Sequence, residues 1–189
     1  HGGNIQLKST DDGVDCEKGH FTMTGGILNI QLSSADVNGI DADSTLTVKG
    51  GDLTVNISGN QSKALKATRE LNLEGGAIKL TTSGGVVLNA SGSGFDPSYC
   101  TAVKSDLAVN LSGANLTITQ TGAGSKGISS NANINMSAGL VQINNSGAGA
   151  TYTGITGTTT AYNGTAMSAD GNILINGGSF TSVSSGSGG

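Results

Sequence analysis

The 189-residue chain is only 12% charged and 3% aromatic, with 32 glycines against a single proline. That composition excludes an ordinary helical domain, and the regular return of Val, Ile and Leu excludes a disordered one. A net charge of −4 with one arginine, Arg69, excludes nucleic acid, and no apolar run reaches the length of a membrane span, so membrane insertion is not expected either.

Small pairs punctuate the chain at Gly2-Gly3, Gly25-Gly26, Gly50-Gly51, Gly75-Gly76, Gly113-Ala114, Ala138-Gly139 and Gly177-Gly178, so that their second members are spaced 23, 25, 25, 38, 25 and 39 residues apart. A repeat of about 25 residues with two longer members is the sign of a solenoid. After each pair comes an alternating strand, carried in turn by Ile5 and Leu7, Leu28 and Ile30, Leu53 and Val55, Ile78 and Leu80, Leu116 and Ile118, Val141 and Ile143, then Phe180. Period-two alternation buries one face. A second strand is centred on Val14, Ile40, Leu65, Val103, Ile128 and Met167, and a third carries Phe21 and Met23, Leu46 and Val48, Leu71 and Leu73, Val109 and Leu111, Ile134 and Met136, Ile173 and Ile175.

The expected fold is therefore all-β: a right-handed parallel β-helix of six to seven turns, three short strands to a turn, forming one domain over 1–189. The longer repeats are insertion loops at about 85–101 and 148–165, both at the corner between first and second strands. Neither end shows a capping helix, so the chain is expected to continue, to stack end to end with other subunits, or to cover its edges with irregular backbone.

Aligning Val14 with Ile40 sets Asp15 opposite Asp41 and Glu17 opposite Asp43, with Asp11, Asp12 and Asp36 in the corners just before that strand. Stacked strands lie about 4.8 Å apart. Like charges at that distance call for a shared cation or raised pKa values, and oxygen ligands without His or Cys favour Ca²⁺. A solvated acidic face, partly neutralised by Lys66 and Arg69, is the alternative.

The insertions hold Phe95, Tyr99, Tyr152 and Tyr162, four of the six aromatic residues. Such rings among Asn, Ser and Thr suit a sugar, which stacks its C–H face and hydrogen-bonds its hydroxyls; they would equally staple long loops to the coil. Catalysis has weaker support. Lys18, Lys66 or Arg69 near a calcium site could serve a polysaccharide lyase as base, and paired acids could serve a hydrolase, but neither His1 nor His20 has a nucleophile and orienting acid in register. Cys16 and Cys100 lie three turns apart, beyond disulfide reach; Cys16 is expected as a buried free thiol, and an exposed Cys100 could bridge subunits.

The run Asp11-Asp12-Gly13-Val14-Asp15-Cys16, with Asn38-Gly39-Ile40-Asp41-Ala42-Asp43-Ser44-Thr45-Leu46-Thr47-Val48-Lys49-Gly50-Gly51, resembles the repeats of a family of secreted bacterial carbohydrate-binding domains. The resemblance implies a right-handed parallel β-helix, binding of polysaccharides including acidic ones, and Ca²⁺ on clustered aspartates. The acids that match are Asp11, Asp12, Asp15, Asp41 and Asp43; at the position of Asp41 later repeats carry Lys66, Lys104 and Ser129. The function expected is non-catalytic polysaccharide binding, secreted or at the cell surface, with Ca²⁺ in the first two turns. The alternative is a structural subunit that stacks end to end into a filament or stalk.

Overall fold

The computed structural model describes residues 2–187; His1, Gly188 and Gly189, which the expected domain includes, lie outside the described residues. The described residues form strands and turns, with no helix among them. Alternation is the cause. In Ile27–Leu32 and Asp52–Ile57 every second side chain is buried and the intervening ones face outward.

Each strand pairs in parallel with its equivalent one repeat later, giving three sets of stacked strands. The first set runs Asn4–Ser9, Ile27–Leu32, Asp52–Ile57, Ala77–Thr82, then 115–120, 140–145 and Ser179–Ser184. Its inner columns are Ile5, Leu28, Leu53, Ile78, Leu116, Val141, Phe180 and Leu7, Ile30, Val55, Leu80, Ile118, Ile143, Ser182. The second set, from Val14–Cys16 to Thr165–Ala169, stacks Val14, Ile40, Leu65, Val103, Ile128 and Met167. The third stacks Phe21, Leu46, Leu71, Val109, Ile134 and Ile173. This is the register expected from the sequence, residue for residue.

Ile40, Leu46, Leu53, Val55, Leu65, Leu71, Val103 and Ile128 are wholly buried, each contributing about 1.5–3 kcal/mol relative to exposure. Burial weakens toward the outermost strands, where Ile5 and Ile175 are about half exposed.

The corners follow from glycine. Gly26, Gly51, Gly76, Gly139 and Gly178 hold φ between 84° and 95°, a region open to glycine and strained for other residues. At Gly51 an added Cβ would stand 2.6 Å from the carbonyl oxygen of Gly26. The expectation of three separate strands per repeat fails at two corners. Ala108–Gln120 and Asn133–Asn145 are unbroken 13-residue strands that carry the third set directly into the first, with register shifts between Leu111 and Ser112 and between Ser112 and Asn115. The first and third sets therefore form one 11-stranded sheet, and the second set a separate six-stranded one.

Both insertions are hairpins rather than irregular loops. Val87–Ser91 pairs antiparallel with Gly94–Ser98, and Ala150–Thr153 with Thr159–Tyr162. They touch: Phe95 bridges to Gly154, and the Ser93 amide donates to the Ile155 carbonyl at 2.9 Å.

Candidate functional site

The second set of strands turns two outward columns toward solvent, and the acidic edge begins one of them. Asp15 pairs with Asp41, Asp41 with Lys66, Lys66 with Lys104, and Lys104 with Ser129. Asp15 is exposed. Partial desolvation, then the charges of Asp41, Glu17, Asp12 and Asp43, hold its pKa above the ordinary carboxylate value. Those five acids thus share a field. Asp11 and Asp36 stand apart from it: Asp11 accepts from the Asp12 amide, and Asp36 faces the Lys63 ammonium at 4.0 Å.

The cation beside Asp41 is a protein one. Lys66 Nζ donates to Asp41 Oδ2 at 2.8 Å, and Asn38 Nδ2 donates to the same oxygen at 2.9 Å. Burial opposes the charge on Lys66, yet the hydrogen bond and charge of Asp41 outweigh it and raise its pKa. A raised pKa is the opposite of what a catalytic base needs. Asp12 Oδ1 accepts from the Asn38 amide at 2.6 Å, so that carboxylate too has a protein donor. Asp41 Oδ1 is buried without a partner. The donor set does not fit the calcium ion implied by the family resemblance: the best-buried ligand already faces an ammonium, and among the described residues no three His, Cys, Asp or Glu side chains converge as ligands.

The hairpins make the second candidate. Phe95, Asp96 and Pro97 of the first and Tyr152, Ile155, Thr156, Thr158 and Thr160 of the second line a shallow concavity of about 390 Å³. Phe95 is 40% exposed and Ile155 53%, so apolar surface is open to a ligand. The three tyrosines lie deeper. Tyr152 and Tyr162 have ring centroids 6.0 Å apart, and Tyr162 packs on Gly124, where an added Cβ would come within 2.7 Å of its ring. Tyr162 therefore staples its hairpin to the coil, and Phe95 and Tyr152 face the concavity.

Beyond Pro97 lies a second cleft, of about 330 Å³, which sequence reasoning missed. Its lining includes Lys63, Tyr99, Lys104, Lys126, Ser129 and Asn131. Lys63 and Lys126 share one outward column, separated by Thr101, and Lys104 belongs to the next. The Lys126 ammonium sits 4.0 Å from the Tyr99 ring centroid, a cation–π contact. Desolvation by burial, ahead of any neighbouring charge, lowers the pKa of both Lys63 and Lys126. The signal was present in the sequence as lysines at positions 63, 66, 104 and 126, one outward column or the next in successive repeats. Their convergence with Tyr99 needed the hairpin.

Charge is segregated along the coil. Up to Asp52 there are eight carboxylates against three lysines, a net −5; beyond it, five carboxylates face six cationic residues, a net +1. The cysteines also differ from expectation. Both are free, but Cys16 is half-buried, and Cys100 is wholly buried, its thiol pushed up to about 11 by burial. A subunit bridge through an exposed Cys100 is thereby ruled out in this fold.

Against known proteins, the chain matches no family model, no curated protein and no solved structure, so the family resemblance rests on the Asp-Gly repeats alone.

Proposed function

We propose that this chain is a right-handed parallel β-helix that binds polysaccharide without catalysis, at the cell surface or secreted, through its paired hairpins. One observation carries the reading: two insertions from non-adjacent repeats meet to hold Phe95, Pro97, Tyr152 and Ile155 around one open concavity rimmed by threonines. An apolar floor with hydroxyls beside it suits the alternating C–H and O–H surface of a sugar ring. The coil supports the hairpins through a core of short, fully paired strands, which is why long polar insertions are tolerated there. Calcium has no step in this reading.

Retention on a panel of immobilised polysaccharides tests it. The parent protein is expected to be retarded by at least one polymer, and Phe95→Ala with Ile155→Ser to lose that retardation with an unchanged melting temperature. Equal retardation of parent and variant would remove the hairpins from the site.

A second reading, end-to-end assembly, is favoured by Ile5 and Ile27 at one extreme of the stack and Ile173, Leu174 and Ile175 at the other, all at least 40% exposed. Electron microscopy decides it, since monodisperse particles at high concentration are incompatible with filaments built this way.

A further inference from the structure

We infer that Lys104 and Asn131 join in an intramolecular isopeptide bond, assisted by Asp106 and needing no enzyme or cofactor, which welds two successive turns of the coil together. This holds whatever the hairpins bind.

The backbone assembles the three side chains. Lys104 and Asp106 lie two residues apart at the end of Thr101–Ser105, and both reach Asn131. Ser105 pairs with Ser130 of the next turn, and the Asn131 backbone amide donates to the Ser105 carbonyl at 3.1 Å, which sets Asn131 over Asp106. The bend is fixed from within. Ser105 is wholly buried; its hydroxyl donates to the Arg69 carbonyl at 2.5 Å and accepts from the Leu107 amide at 3.1 Å. Ser130 repeats the arrangement one turn on, donating to the Leu107 carbonyl and accepting from the Ala132 amide, each at 3.1 Å. The three groups are therefore held together by parts of the fold that are themselves fully bonded.

Their polar contacts are ordered as acyl transfer requires. Lys104 Nζ is bonded to Asn131 Oδ1, one covalent bond from the carbon it would attack. Asn131 Nδ2, the leaving nitrogen, donates to Asp106 Oδ1 at 3.1 Å, and the same carboxylate oxygen is 3.5 Å from Lys104 Nζ. One oxygen thus stands beside both the nitrogen that must shed a proton and the nitrogen that must gain one. Lys66, the preceding member of the column, shows the ordinary alternative. Its ammonium donates straight to the Asp41 carboxylate at 2.8 Å, and Asn38 bonds to that carboxylate rather than to the lysine. At Lys104 an amide carbonyl takes the place of the carboxylate as nearest acceptor.

The step balances without a co-reactant. The neutral amine of Lys104 adds its lone pair to Asn131 Cγ, and the carbonyl π pair moves onto Oδ1. Asp106 takes a proton from Nζ and passes it to Nδ2. The pair on Oδ1 then re-forms the carbonyl, the Cγ–Nδ2 bond breaks with its electrons, and ammonia leaves. One amide replaces another, with no change of oxidation state. The neutral amine is a minority form below about pH 10, but reactants held in contact have the high effective concentration of an intramolecular reaction. The Lys104 and Asp106 side chains keep 20% and 40% of their exposure, so ammonia escapes to solvent and the bond stays closed.

Mass spectrometry of the full chain, incubated folded at about pH 9 where more of the amine is neutral, tests the bond. The denatured protein should weigh one ammonia less than its sequence. Trypsin should fail to cut after Lys104, so that the peptide 80–126 travels with 127–189 as one branched species, and fragmentation should place the branch between Lys104 and Asn131. Lys104→Arg should return the full sequence mass and ordinary cleavage. Asp106→Asn should slow the loss of ammonia by about a hundredfold; linkage at the parental rate would remove Asp106 from the reaction. A parent protein of full sequence mass, cut after residue 104, overturns the bond. So does a loss of ammonia that persists in Lys104→Arg, because it then marks cyclisation at an asparagine.

Discussion

Replacing Lys66 with methionine removes the ammonium bonded to Asp41 and keeps most of the stem that packs beside it. Asp41 is 8% exposed as a residue, its Oδ1 has no partner, and Asn38 would remain its sole donor. Breaking one side of a buried pair costs about 3–5 kcal/mol, chiefly because a charge is left uncompensated. Here the Lys66 side chain keeps 30% of its exposure and the Asn38 bond survives, so the expected loss is about 2 kcal/mol. For a chain of this size that lowers the melting temperature by about 4–8 °C and moves a urea midpoint by about 1 M. Asp41→Asn in the Lys66→Met background should recover most of the loss, since the stranded charge is then gone. A loss below about 0.5 kcal/mol, or a double variant no better than Lys66→Met, would refute the claim that Lys66 acts as the counter-ion of Asp41.

Thiol reagents should label Cys16 in the native protein and reach Cys100 only on unfolding. The Cys100 thiol, at about 11 when folded against an ordinary 9, keeps its proton where the unfolded chain has lost it; stability should fall by up to about 2–3 kcal/mol between pH 9 and 11, and Cys100→Ala should remove that slope in urea titrations at each pH. Asp15→Asn should stabilise at neutral pH, because the raised carboxyl pKa marks an anion the fold disfavours; the gain should vanish as acid protonates Asp15 in the parent. Gly51→Ala, at φ 91° and with a Cβ 2.6 Å from a backbone oxygen, should cost more than about 2 kcal/mol by chemical denaturation. Millimolar calcium against chelator should leave the melting temperature within about 1 °C, and a rise of several degrees would restore an ion to the acidic edge.

The coil was legible because its signal is local and repeated. Leu46, Leu71, Val109 and Ile134 announce a column by alternation within each strand and by return at a fixed interval, and two independent periods leave little freedom in register. The fused strands were not legible, since Gly113-Ala114 and Ala138-Gly139 resemble the other small pairs, and Gly139 keeps the left-handed φ of the broken corners. Hairpin strands such as Thr159–Tyr162 lack apolar alternation because they cover no core. The acidic column was placed correctly, and of the two cations expected to neutralise it, Lys66, 25 residues away in sequence, bonds Asp41, while Arg69 stands beside Glu70. The lysine cleft was least legible of all. Its members come from three repeats and the base of a hairpin, and nothing in any one segment marks them as neighbours.

The two unbroken strands lie along the axis between the repeats that carry the hairpins, 85–101 before them and 148–165 after. At those two corners the strand pairing runs on through Gly113 and Gly139, and the two strands bond to each other along most of their length. They act as a splint between the two hairpins. The distance between one hairpin root and the other is thereby a property of the backbone rather than of the loops. On the proposed polysaccharide reading, a polymer whose repeat does not match that spacing would bind less well.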